Sequence, residues 1–181
     1  MRDGIAIAWA AYVAAAALVL GAPVRAQTLK VCEGTFALCT VAWCDPIPGN
    51  DKQVNCHCTV NKGYSAGFQD CSSVVETPKG QQVVSRYFPI RSYVACSNGR
   101  PWAACGDKPC IIDMNNPQAA DCTCDLKKDL GPYVVATGEY TPATCTSGLV
   151  SSATVQETEQ VTEALRNSKV LPSFPLEVLN K

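Results

Sequence analysis

The sequence predicts a small, disulfide-rich, mainly β fold in which two tandem homologous six-cysteine modules share strands and a short C-terminal helix follows. Three observations carry that expectation. The chain holds 12 cysteines in 181 residues, an even and dense set of the kind that builds disulfide scaffolds. It opens with an uncharged apolar run over residues 4–24, the mark of an export segment and so of an oxidising destination. Cys39, Cys44, Cys56 and Cys58 recur as Cys105, Cys110, Cys122 and Cys124, each displaced by 66 residues without a gap.

Residues 1–26 read as a signal peptide. Arg2 supplies the basic start, and the stretch closes on Val24-Arg25-Ala26, whose modest side chains suit a peptidase cut after Ala26. About 20 apolar residues could also span a bilayer core, but the Gly21-Ala22-Pro23 break favours cleavage, leaving Gln27 as the mature N-terminus. Leu29-Lys30-Val31 ahead of Cys32 does not suit lipidation, and no twin arginine precedes the run. The expected location is the periplasm or the outside, with no membrane attachment after cleavage.

The first module, residues 27–71, contains Cys32, Cys39, Cys44, Cys56, Cys58 and Cys71; the second, residues 96–145, contains Cys96, Cys105, Cys110, Cys122, Cys124 and Cys145. Phe36 with Trp102, Ala37 with Ala103 and Asn50 with Asn116 also agree at the same displacement. Six cysteines allow about 15 connectivities, and the spacing does not choose among them. One constraint does follow. Residues two apart on a strand face the same side, so Cys56 and Cys58 project together, as do Cys122 and Cys124. A bond inside either pair would lack converging Cβ vectors, so each cysteine should reach a separate partner. Each bridge is worth roughly 2–4 kcal/mol, which matters for modules too short to bury a large core.

Residues 82–87 and 133–136 are β-branched and aromatic, bounded by Gly or Pro, and read as strands. Residues 45–52 and 111–118 are rich in turn formers and should be exposed loops held at their ends by bridges. Segment 72–95 joins the modules, and its apolar run argues that it pairs into a shared sheet. In the tail, residues 146–181, Thr154 and Glu157 make a capping box for a helix over 157–167 with Val161 and Leu165 inward. The stripe is thin, so the alternative is a loose tail. Pro172 and Pro175 favour an extended end with Phe174 and Leu176 as anchors.

Composition excludes several classes. With 15 Lys+Arg against 16 Asp+Glu, the chain lacks the basic face that nucleic acid requires. Cys56-His57-Cys58 invites a metal site, but the position equivalent to His57 is Thr123, and the middle residue of the triplet points away from the two sulfurs. No C-x-x-C begins a helix to activate a thiol. A single histidine nearly exhausts triad chemistry, and no G-x-S-x-G or H-E-x-x-H occurs. Loop acids such as Asp45 with Asp51, or Asp113 with Asp121, are expected to be solvated charges. Trp43 and Trp102 are candidate contact anchors, more often packed over a disulfide. The expectation is therefore a binding or structural protein with no catalytic residues, no cofactor and no metal. It would present constrained loops to an extracytoplasmic protein. A metal-thiolate or thiol–disulfide redox protein is the alternative.

Overall fold

The computed structural model describes residues 28–97 and 99–181, so the export segment expected over 1–26 lies outside the described residues. In chain order the strands are β1 (Lys30–Leu38), β2 (Cys44–Pro46), β3 (Gln53–Gly67), β4 (Val75–Thr77), β5 (Gly80–Val84) and β6 (Ser92–Cys96). They continue as β7 (Trp102–Ala104), β8 (Pro109–Ile112), β9 (Ala119–Lys127), β10 (Tyr133–Ala136) and β11 (Ser151–Ser152). Helix α1 (Val155–Asn167) and β12 (Glu177–Val178) complete the chain. The protein is mainly β, as the sequence predicts.

Strict alternation builds the central pair. Along β3, Val54, Cys56 and Cys58 turn inward while His57 and Thr59 are exposed; along β9, Ala120, Cys122 and Cys124 turn inward while Asp121 and Thr123 are exposed. These two strands run antiparallel with Cys56 opposite Cys122. β1 and β2 lie on the far side of β3, whereas β8 and β7 lie on the far side of β9. The registers run in parallel: Cys44 faces Cys56 and Cys110 faces Cys122, while Phe36 faces Asn61 and Trp102 faces Lys127.

Two crossing segments close these strands on themselves. After pairing with β8 through β5, the chain reaches β1, where Ser85 bridges Ala37 in parallel and the Arg86 amide donates to the Ala37 carbonyl at 3.0 Å. Near the other end, β11 pairs in parallel with β7, placing Ser151 beside Ala103, and the Ser151 amide donates to the Ala42 carbonyl at 2.9 Å. Val150 meanwhile bridges Trp43. Segment 72–95 thus pairs into sheet, as its apolar run predicts.

The enclosed core is largely cystine. Cys39, Cys44, Cys56, Cys58, Cys105, Cys110, Cys122 and Cys124 form one buried cluster with Val54, Val83 and Ile112. Burying carbon and sulfur together supplies the apolar term that so short a chain otherwise lacks.

Several expectations are corrected in detail. Asp45 and Pro46 belong to β2, and Ile111 and Ile112 to β8, so the loops are shorter than 45–52 and 111–118. The turn formers dominate local propensity there, but pairing to the long neighbouring strands overrides it. The strand expected over 82–87 ends at Val84 and continues only as single bridges at Ser85 and Tyr87. The helix begins at Val155, two residues earlier than expected, with Thr154 as its N-cap accepting from the Glu157 amide.

Nor is the tail loose. Val161 and Leu165 pack against Ala66 and Phe174, and a second sheet of order β10-β6-β12 takes in the extended end. The Asn180 side chain donates to the Ala95 carbonyl and accepts from its amide, both at 2.9 Å. Phe174 is buried as an anchor, while Leu176 is only half-buried; Leu179, unmarked by the sequence, packs on the cluster of Val94, Cys96 and Trp102.

Candidate functional site

All twelve cysteines are paired. Cys32 bonds Cys71, Cys39 bonds Cys58 and Cys44 bonds Cys56; Cys96 bonds Cys145, Cys105 bonds Cys124 and Cys110 bonds Cys122. No bond forms within either C-x-C triplet, in accord with the side-by-side projection of its cysteines. Each set is nested, outermost with outermost and innermost with innermost. The inner bridges join residues directly opposite on paired strands, with Cα atoms 4.0 Å apart at Cys44–Cys56 and 4.2 Å at Cys110–Cys122.

The sulfurs crowd together at the centre. Cys39 Sγ lies 3.4 Å from Cys122 Sγ, and Cys39, Cys105 and Cys124 place theirs within 4.8 Å of one another. Such proximity resembles a metal-binding set only in distance. A soft metal is held by thiolate charge, and these atoms are spent in cystine.

The opposite face of the β3–β9 pair is polar and exposed. His57 Nδ1 is 2.7 Å from Asp121 Oδ1, and its Nε2 is 2.9 Å from Asp45 Oδ2. The imidazole thus links β2, β3 and β9. Hydrogen bonding to Asp45 first, then to Asp121, raises the His57 pKa above its ordinary value. Both ring nitrogens are engaged and the carboxylates sit at opposite ends of the ring, so neither a shared metal ion nor a free basic nitrogen results. The sequence paired Asp45 with Asp51 and Asp113 with Asp121. The structure instead brings Asp45 and Asp121 to His57, while Asp113 Oδ1 accepts from the Asn115 amide at 2.7 Å. Register is what sequence inspection lacked: Asp121 stands directly across from His57.

The tryptophans divide. Trp102 is 2% exposed and stacks on Tyr133, whereas Trp43 is 59% exposed. Trp43 rests against Gly148, where an added Cβ would come within 2.1 Å of its ring. The loops between β2 and β3 and between β8 and β9 are fixed by matching Asx turns. Asn50 Oδ1 accepts from the Lys52 amide at 3.0 Å, and Asn116 Oδ1 from the Gln118 amide at 3.2 Å. Met114, 85% exposed, stands in the second loop.

Sequence inspection also missed a buried ion pair. The Arg86 and Asp107 side chains are only 4% and 11% exposed, with Nη1 3.6 Å from Oδ1. Arg86 also donates to Ser65 Oγ at 3.2 Å, the Gln69 carbonyl at 3.3 Å and the Lys30 carbonyl at 2.8 Å. Asp107 Oδ2 accepts from the Phe68 amide at 2.6 Å. Burial lowers the Arg86 pKa, partly offset by Asp107, and the guanidinium acts as a tie between sequence-distant segments.

No family model, curated protein or solved structure matches the chain. Fold and site define a small disulfide-rich β protein whose six bridges suit an oxidising, extracytoplasmic setting. Among the described residues no helix is long and apolar enough to cross a membrane.

Proposed function

We propose that this chain is exported after cleavage behind Ala26 and acts, in the periplasm or outside the cell, as a non-catalytic binding or structural protein. Its partner would be another extracytoplasmic protein, met by the loops after β2 and β8. The observation that carries this reading is the clamping of both loops. Each springs from two paired strands that an inner bridge joins at directly opposed residues, so docking costs little further ordering entropy. Exposed Trp43 and Met114 offer apolar contact area at the two loops.

The frame itself we read as two copies of one six-cysteine unit. Both nested bridge sets support this, as does the register, which repeats when every residue is advanced by 66. Ser85 and Ser151 extend it past the outer cysteines: each hydroxyl donates to a carbonyl, Cys105 and Cys39 respectively, and the Lys108 and Ala42 amides donate to these hydroxyls, both at 2.9 Å. On this reading each copy lends its terminal strand to the other.

The test is affinity capture from an extracytoplasmic fraction with the oxidised protein, beside Trp43→Ala, Met114→Glu and a distant control, Val170→Ala. A defined partner kept by the control and lost with the loop variants is expected. A partner indifferent to both variants refutes loop docking, and several alkylatable thiols in the native chain would favour redox chemistry.

A further inference from the structure

Between α1 and the turns that follow Cys39 and Cys105 lies a cavity, separate from the loop face, whose enclosed part measures about 70 Å³ within a space of about 610 Å³ that includes its mouth. Its walls include Val134, Val161 and Ile90, with half-exposed Phe88 on the solvent side. Two residues break the apolar lining. Thr158 and Thr162 stand one helical turn apart on α1, are 8% and 4% exposed, and line this cavity. Among the described residues neither hydroxyl has a hydrogen-bond partner.

Threonine at two inward positions of a helix is otherwise unfavourable. Its branched chain is stiff there, and a buried hydroxyl without a partner loses the hydrogen bond that water would give it. Valine would fill the same volume without that loss. Something that accepts or donates a hydrogen bond therefore completes the site. The enclosed volume exceeds the ~30 Å³ share of one water, and the carbon walls give water few further partners. Arg86 reaches the lining, but its guanidinium is committed to Asp107, Ser65 and backbone carbonyls, so no free charge awaits an anion.

We propose that this cavity is a binding site for a neutral, mainly apolar small molecule carrying a terminal hydroxyl or carbonyl oxygen. Thr158 and Thr162 hold the oxygen, Val134 and Val161 pack the adjoining carbons, and the remainder leaves past Phe88. The site does not depend on the loop-docking reading and can fail or stand without it.

The probe is 1-hexanol, titrated into the oxidised protein while methyl NMR signals of Thr158, Thr162, Val134 and Val161 are followed. Saturable shifts confined to these methyls are expected, with a roughly fivefold weaker dissociation constant in Thr158→Val and in Thr162→Val, the usual loss for one neutral hydrogen bond. Thr162→Ser, which keeps the hydroxyl, should retain binding if a valine variant fails to fold. Shifts that never saturate or spread over the surface, or equal affinity in foldable valine variants, would overturn the assignment. So would an unmoved spectrum, which would leave these hydroxyls to water.

Discussion

Removing one inner bridge gives the sharpest view of how the frame is held. In Cys44→Ala/Cys56→Ala the strand pairing of β2 with β3 remains possible, so the change isolates the cross-link and its buried sulfur. The bridge closes a sequence separation of 12 residues, for which chain entropy gives a loss of about 3 kcal/mol. Both cysteines are nearly buried, at 6% and 0% exposure, so lost packing adds to that figure. With a urea m-value of about 2 kcal/mol/M, the unfolding midpoint should fall by about 1.5 M under non-reducing conditions. Cys110→Ala/Cys122→Ala closes the same separation of 12 residues and should cost a similar amount. A midpoint shift below about 0.5 M at unchanged m would refute the reasoning, since it would mean that strand pairing alone holds the loop.

Four further outcomes follow from the contacts. A single cut engineered after exposed Lys79 should leave a particle that stays in one peak on native size exclusion, because β3–β9 pairing crosses the cut; unreduced denaturing electrophoresis should separate its two pieces, since no bridge joins them. The His57 imidazole, followed by NMR, should titrate above its ordinary value, and Asp45→Asn should lower it, Asp45 being the larger cause. Because the folded value is raised, its stabilising contribution is full below about pH 6.5 and is lost as pH rises through the folded pKa. Arg86→Met strands the Asp107 carboxylate and should destabilise by about 3–5 kcal/mol in thermal or urea unfolding; an unchanged midpoint would deny Arg86 its tying role. Gly148→Ala, at φ +59° with its Cβ aimed at Trp43, should displace that ring and alter its fluorescence while costing about 1 kcal/mol; an unaltered spectrum would contradict the contact.

The inner face of the sheet was legible because alternation is a property of sequence. Cys56 and Cys58 had to share a face with His57 opposite them, and they do. Capping chemistry is equally local, so Thr154 and Glu157 marked the helix start within two residues. What stayed hidden depends on register and on long-range closure. Asp45 and Asp121 are 76 residues apart in a chain of 181, and nothing in their local neighbourhoods says that β2, β3 and β9 align them on one imidazole. Arg86 and Asp107 read as ordinary surface charges until folding buries them together. Trp43 and Trp102, treated alike on composition, part company because Trp102 lies on paired strand β7 whereas Trp43 sits at a bend before β2. One signal was available and unused: Val84-Ser85 and Val150-Ser151 stand 66 residues apart, the same displacement as the inner cysteines.

Peptide mapping of the unreduced protein tests the frame most directly. Digestion without reduction should return Cys32–Cys71, Cys39–Cys58 and Cys44–Cys56 from one half and Cys96–Cys145, Cys105–Cys124 and Cys110–Cys122 from the other, with no alkylated cysteine. A linkage between the halves, such as Cys39 to Cys122 whose sulfurs already touch, or a native chain rich in free thiols, would contradict it.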